Sequence, residues 1–261
     1  MGDGVVISNA REDAFTFYSM SAISFLESAV PNYVDNLQHY YGDCFETARW
    51  LRDTWLPEES AHGRMTKEFV ERQWPEFNWH EAYQEFLRTY VPRCNHQLLR
   101  PSKSLEALAR CVTETETAMV YRCIAEYSSD PQLKSMLQKM SQDETRHYAY
   151  FRDLFNEHDA IERNSFWQKA KTVLARSELV RNEDLALAFE PLNRSWSGAR
   201  PFVPLTYPAY LRRTSLVMSR HFPVEAAKRM LFRPLLRGRA WEAVAVRVLA
   251  FLVRRQYAIQ G

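Results

Sequence analysis

Apolar residues recur three and four positions apart along much of the chain, which is the spacing of helices with one buried face. Four long segments have this spacing: 12–41, 44–72, 103–127 and 131–157. A shorter helix is predicted over 79–90. Asp130 followed by Pro131 has the form of a helix N-cap with proline in the first turn, and Pro31 predicts a bend or opening in the first segment. We therefore expect an all-α protein whose main body is a four-helix bundle.

The helical pattern loosens after about residue 160. We expect residues 1–160 to form the bundle and residues 161–261 to form a helical extension packed on it. This extension is strongly basic, since twelve Lys and Arg stand against two acids from Arg200 onward, whereas the preceding residues carry a net charge of −8. A positive surface of this kind attracts acidic partners. Helices are expected within it near 164–178, 208–231 and 238–256.

The composition is that of a folded, helical protein. Only 7 of 261 residues are Gly, and helices need few glycines whereas hairpins and dinucleotide-binding loops need many. The four cysteines form no C-x-x-C pair, so we expect reduced thiols and no zinc ribbon. No window of about 18 uncharged apolar residues occurs, and no basic segment followed by an apolar one opens the chain. We therefore expect a cytoplasmic protein without stable membrane insertion.

Ionisable residues fall on the apolar faces of the four long helices. They are Glu27, Glu59, His62, Glu116, Glu144 and His147. Burying four unpaired carboxylates would cost more than the ~5–15 kcal/mol by which a typical protein is stable. No Lys or Arg lies on these faces at the same level, but two divalent ions would balance the four negative charges. The pattern therefore predicts a site for two metal ions.

The spacing of the histidines supports the same site. His62 follows Glu59 by three positions, and His147 follows Glu144 in the same way, so each pair shares one helix face. A single Glu-x-x-His arises easily by chance, but here two of them alternate with two single glutamates. That order is the ligand pattern of ferritin-like di-iron carboxylate bundles.

Residues beside these ligands leave some choices open. Glu114 competes with Glu116 on the third helix, but it lies on a more polar face, so we favour Glu116. Glu58 and Asp143 are expected outside the ligand set. Of these two, Asp143 is the better candidate to orient one of the histidines.

Three stretches around the predicted ligands resemble the motifs of a known family. They are E-S-A-V-P-N-Y from Glu27, W-L-P-E-E-S-A-H-G from Trp55 and D-E-T-R-H from Asp143. They are similar to E-x-A-x-P-x-Y, W-x-x-E-E-N-R-H-G and D-E-K-R-H of the soluble acyl-carrier-protein desaturases. The resemblance covers about residues 20–158, and Glu116-Thr-Ala118 is similar to that family's E-R-A-T.

The resemblance implies a ferritin-like di-iron bundle, dioxygen as the oxidant and an acyl chain held as a thioester on a carrier protein. The chain departs from the family at two places. Met119 stands where the family usually has a threonine, and Ser60-Ala61 replaces its Asn-Arg. Residues after 160 resemble no part of the family, so the basic extension is interpreted from its charge.

We expect an oxygen-dependent di-iron oxidase, a desaturase or a hydroxylase, that acts on an acyl or aminoacyl chain tethered to an acyl carrier protein. A mixed Mn/Fe pair is an alternative to two iron ions. Because no flavin or NAD fingerprint is present, electrons are expected from a ferredoxin-type donor. The alternative functions are a di-iron hydroxylase or N-oxygenase of another substrate, including tRNA, and iron storage or peroxide detoxification.

Further expectations concern the substrate and the assembly. A closed apolar channel beside the metals is expected from Phe17, Met20, Met119 and Phe151. The basic side chains expected to dock an acidic carrier protein are Arg212, Arg213, Lys228 and Arg229; alternatively, they pair with acids of the bundle. We expect the apolar helix within 240–255 to be buried against the bundle or a second subunit, and a homodimer as the assembly.

Overall fold

The computed structural model describes residues 9–94, 99–182, 184–232 and 234. Its helices are α1 (Ala14–Ser28), α2 (Pro31–Tyr40), α3 (Phe45–Trp50), α4 (Leu56–Gln73), α5 (Trp79–Tyr90), α6 (Lys103–Tyr127), α7 (Pro131–Glu162), α8 (Phe166–Asn182), α9 (Asp184–Arg194), α10 (Tyr207–His221) and α11 (Val224–Phe232). A π turn at Leu51–Trp55 and 3-10 turns at Ala10–Glu12 and Val91–Arg93 complete the helical part. Apart from one isolated bridge between Phe77 and Trp196, the described residues contain no β-structure, which confirms the predicted all-α class. None of the described helices is long and apolar enough to cross a membrane.

Most of the predicted helices are present, and several are divided. α5 and α6 have the predicted limits. The first predicted segment divides at Pro31, whose ring lacks the N–H that would continue the helix. The helix predicted over 208–231 divides into α10 and α11 around Pro223. The helix predicted over 238–256 lies outside the described residues.

α6 is the central helix and is covered on two sides. α7 packs along one side, where the Ser141 hydroxyl donates to the carbonyl of Ala118 at 2.9 Å. α8, α10 and α11 lie against α6 as well, and Met119 packs against Ala227 of α11. A helix buried on opposite faces has no polar stripe to mark its orientation. The helices after residue 160 are therefore packed directly on the bundle.

The apolar core falls into two large clusters separated by a layer of ionisable residues. Glu27 of α1 lies between Phe25 of one cluster and Val30 of the other, which stands between α1 and α2. On α4, α6 and α7 as well, buried ionisable residues lie between residues of the two apolar clusters. The four helices thus bring buried charged residues to one level of the bundle, and buried charges are stable only when they are paired or bind an ion.

Candidate metal centre

Four helices bring two overlapping groups of carboxylates and imidazoles together. One group consists of Glu27, Glu59, His62 and Glu144, and the other of Glu59, Glu114, Glu144 and His147. Within each group, one ligand atom per residue lies within 4.8 Å of the others. Glu59 and Glu144 belong to both groups, and all these side chains are buried. These buried Glu and His residues could hold a metal ion.

Several atoms of the cluster are arranged as metal ligands rather than as hydrogen-bond partners. Glu27 Oε2, His62 Nδ1 and Glu144 Oε1 are buried without a hydrogen-bond partner among the described residues. His62 Nδ1 and Glu144 Oε1 lie only 3.2 Å apart, yet their orientation forms no hydrogen bond. Buried polar atoms are otherwise nearly always hydrogen-bonded. Lone pairs that converge in this way fit a site for cations with oxygen and nitrogen ligands.

An acid outside the two groups holds each imidazole on its other nitrogen. Asp143 Oδ2 lies 3.1 Å from His62 Nε2, and Glu58 Oε2 lies 2.7 Å from His147 Nε2. Arg146 contacts both acids, at 2.6 Å to Asp143 Oδ1 and 2.9 Å to Glu58 Oε1. A proton on each Nε2, donated to the acid, leaves the lone pair of Nδ1 for a metal ion.

Asp143 thus has the orienting position expected of it, whereas the contact of Glu58 with His147 was missed. A signal for it is present in the sequence. Glu58 directly precedes Glu59, as Asp143 directly precedes Glu144.

The third-helix carboxylate in the cluster is Glu114, so the choice of Glu116 is corrected. Glu114 Oε2 lies 3.6 Å from His147 Nδ1, and Glu116 belongs to neither group. Tyr121, two helical turns further along the same face as Glu114, donates a hydrogen bond to Glu27 Oε1. Glu116 instead shares a face with Met119, which α11 covers. Both faces of α6 are buried, so the presence of apolar neighbours does not distinguish Glu116 from Glu114.

Burial and neighbouring charges set the protonation of the metal-free cluster. Burial raises the pKa of Glu27 well above its usual range, and the nearby Glu59 and Glu144 raise it further. Burial likewise raises the pKa of Glu114. Burial alone would lower the pKa of His62, but its contacts with Glu144 and Glu59 raise that pKa to about 11. In the absence of an ion, the cluster therefore holds protons that a cation would displace.

The residues predicted to line one apolar channel are all buried, and they belong to three packing clusters. Phe17 and Met20 belong to one cluster, Phe151 to a second, and Met119 to a third with Ala227. Of the four, Phe151 lies beside Trp55, at a ring distance of 6.2 Å, and Trp55 in turn contacts His147. That the four residues line one channel beside the cluster stays a prediction.

The residues predicted to dock a carrier protein have two different environments. Arg212 and Arg229 are exposed on α10 and α11. Arg213 donates to the hydroxyl of Tyr127 at 3.0 Å, and Lys228 pairs with Glu225, its neighbour on α11, at 2.6 Å. Two of the four side chains are thus engaged in contacts within the extension and the bundle.

No protein-family model, curated protein or solved structure matches the chain.

Proposed function

We propose that this protein is an oxygen-dependent oxidase that works with two iron ions. The observation that carries the proposal is the sharing of Glu59 and Glu144 between two adjoining groups of buried ligands. A carboxylate has two oxygens and can bind one ion with each. Two shared carboxylates therefore suit a coupled pair of ions better than two separate sites.

The donor set supports iron. The two groups offer four carboxylates and two imidazoles, and no cysteine belongs to either. Sites rich in oxygen and nitrogen bind iron or manganese, so a mixed Mn/Fe pair is the alternative. Four carboxylates balance two divalent ions, and neutral imidazoles add no charge.

Bound iron would supply the one-electron steps by which dioxygen is reduced while a substrate C–H bond is oxidised. The protein's own residues position the ligands and shield them. Glu58 and Asp143 fix the two imidazole rings. Tyr121 donates to Oε1 of Glu27, which leaves Oε2 for an ion. The ring of Trp55 covers His147 from the apolar side and excludes water there.

The resemblance to the desaturases supports an acyl or aminoacyl chain on an acyl carrier protein as the substrate, and a ferredoxin-type protein as the electron donor. Arg212 and Arg229 are exposed and suit an acidic carrier. They lie on α10 and α11, which pack against α6, the helix that carries Glu114. Contacts of Arg213 and Lys228 within the chain make these two side chains less available.

Iron analysis tests the metal pair. After anaerobic reconstitution with Fe(II), the protein is expected to retain two ions per chain. His62→Ala and His147→Ala are each expected to lose at least one ion. His39→Ala changes an exposed histidine of α2 and serves as the matched control. Full iron content in both cluster variants would refute the assignment.

A binding assay tests the substrate class. Acyl-loaded carrier protein is expected to bind the full-length chain with an affinity that falls as salt rises. The double variant Arg212→Glu/Arg229→Glu should bind more weakly at unchanged iron content. Arg64→Glu, at an exposed position of α4, is the control. Binding of tRNA alone in a parallel assay would favour a nucleic-acid hydroxylase instead.

A further inference from the structure

A stacked pair of aromatic side chains connects the protein surface to one residue of the metal-binding cluster. The rings of Trp50 and Tyr150 are parallel within 6°, and their centroids lie 3.7 Å apart. Trp50 also meets His147 edge-on, at a centroid distance of 6.0 Å. Trp50 and Tyr150 are partly exposed, whereas His147 is buried. The pair therefore forms a continuous ring contact from solvent to the cluster.

The backbone places Trp50 there through the π turn Leu51–Trp55, which Trp50 directly precedes. In a regular α-helix, residues five positions apart point about 140° away from each other. Here Trp50 and Trp55 both contact His147, at 6.0 and 6.4 Å. π turns inside α-helices occur frequently at functional sites. This one adds Trp50 to the rings around His147.

Trp50 is distinct from the other rings at this position. Among the described residues, the rings that contact His147 are those of Trp50, Trp55 and His62. Trp55 and His62 are buried. Of the three, Trp50 is therefore the ring that an external molecule can approach. Tyr150, which is also partly exposed, stacks on Trp50 and enlarges the aromatic surface that an external molecule can contact.

We propose that Trp50 and Tyr150 form the route by which electrons from an external one-electron donor enter the metal pair of this protein. This inference rests on the proposed redox function of the metal pair. In each transfer the donor would lose one electron, which would pass across the rings and reduce, by one electron, a ferric ion held by the cluster. The rings mediate the transfer and undergo no net change, and two one-electron donors reduce the pair. Tunnelling weakens steeply with distance, so the stacked rings of Trp50 and Tyr150, with Trp50 at 6.0 Å from His147, provide the favoured path.

Rapid-mixing kinetics test the route. The protein is loaded with two ferric ions and mixed with a reduced [2Fe–2S] ferredoxin, and the rate of iron reduction is followed by absorbance. Trp50→Leu is expected to retain both ions and to be reduced at least tenfold more slowly. Trp50→Phe keeps a ring in place and should recover part of the rate. Trp167→Leu removes an exposed tryptophan of α8 and is expected to leave the rate unchanged.

Iron content, measured for every variant, separates the two proposals. A Trp50→Leu variant with two irons and an unchanged rate of reduction overturns the route and leaves the oxidase proposal intact. If Trp50→Leu fails to hold iron, Tyr150→Leu takes its place, and an unchanged rate in that variant overturns the route equally. Failure of the unmodified protein to bind iron overturns the proposed function itself.

Discussion

Glu58 and His147 face each other at 2.7 Å, although they come from different helices and only His147 belongs to a group that could hold a metal ion. The equivalent contact in the other direction joins Asp143 and His62. Each Glu-x-x-His motif therefore follows an acid that orients the histidine of the other motif, and Arg146 holds both acids. An acid of α4 thus orients the histidine of α7, and an acid of α7 orients the histidine of α4.

Replacing Glu58 with alanine is expected to weaken metal binding although no ligand is removed. The ring of His147 loses the partner that fixes its rotation and its tautomer, and losses of this kind weaken metal affinity about 10–100-fold. Titration with Mn(II), followed by electron paramagnetic resonance of the free ion, measures the effect. Glu46→Ala removes an exposed acid paired with Arg49 and is the control. Equal affinities of Glu58→Ala and the unmodified protein would rule out the orienting role.

Glu114→Gln and Glu116→Gln form a matched pair, because both change a buried glutamate of α6 in the same way. Glu114→Gln removes a negative charge from the cluster and is expected to lose at least one bound ion. Glu116→Gln is expected to retain both ions. Metal analysis after gel filtration distinguishes the two variants. The opposite result would return the ligand position to Glu116.

Metal affinity is expected to rise with pH. Burial raises the pKa of Glu27 and of Glu114 in the metal-free protein. Contacts with Glu144 and Glu59 outweigh burial and raise the pKa of His62 to about 11. These protons must leave before the same atoms can bind a cation, so binding releases protons. Mn(II) titration in weakly buffered solution with a pH indicator should detect the release, and binding without it would contradict this account.

The same shifts make the metal-free fold less stable as the pH rises. A group with a higher pKa in the folded than in the unfolded chain stabilises the fold below its unfolded pKa, and this contribution is lost as the pH rises toward the folded value. For His62 the loss extends from ~6.5 to about 11. Urea denaturation of the metal-free protein is expected to show a lower midpoint at pH 9 than at pH 6. Saturation with Mn(II) should reduce that difference, because the bound ion has already displaced the protons.

Gly63 is a point of very close approach between α4 and α1. A Cβ atom on Gly63 would lie 2.9 Å from the amide nitrogen and 3.0 Å from the Cα of Ser28, the neighbour of Glu27. Gly63→Ala is therefore expected to lower the free energy of unfolding by about 1–3 kcal/mol and to weaken metal binding. Gly198→Ala, where no atom lies within 4 Å, should change stability by less than about 0.5 kcal/mol. Equal urea midpoints for the two variants would show that α1 can move away from α4 without lowering the free energy of unfolding.

Most of the cluster could be predicted from the sequence because α1, α4 and α7 carry their ionisable residues between apolar ones on a single buried face. On α6 the apolar pattern does not identify one buried face, because Glu114 and Glu116 are both buried. The more polar neighbours of Glu114 were in fact the informative ones. Tyr121 on that face is buried because it donates to Glu27, which no pattern within α6 alone reveals.

The residues predicted to line a channel show a second limit of prediction from the sequence. Periodicity indicates that Phe17 and Met119 are buried, but not which distant segments bury them. Phe17 packs on Trp196 and Phe202, far along the chain, and Met119 packs on Ala227. These contacts form between the bundle and segments after residue 160, and the local sequence does not show which distant segments will pair.

α10 and α11 cover an apolar strip of α6. Met119 contacts Ala227, and the thiol of Cys123 lies 3.8 Å from the carbonyl oxygen of Val217. A protein truncated before α10 would present this apolar strip to water, where such strips promote self-association. α10 and α11 therefore belong to the same packed unit as the buried cluster, and a partner bound to the exposed Arg212 and Arg229 would contact that unit directly.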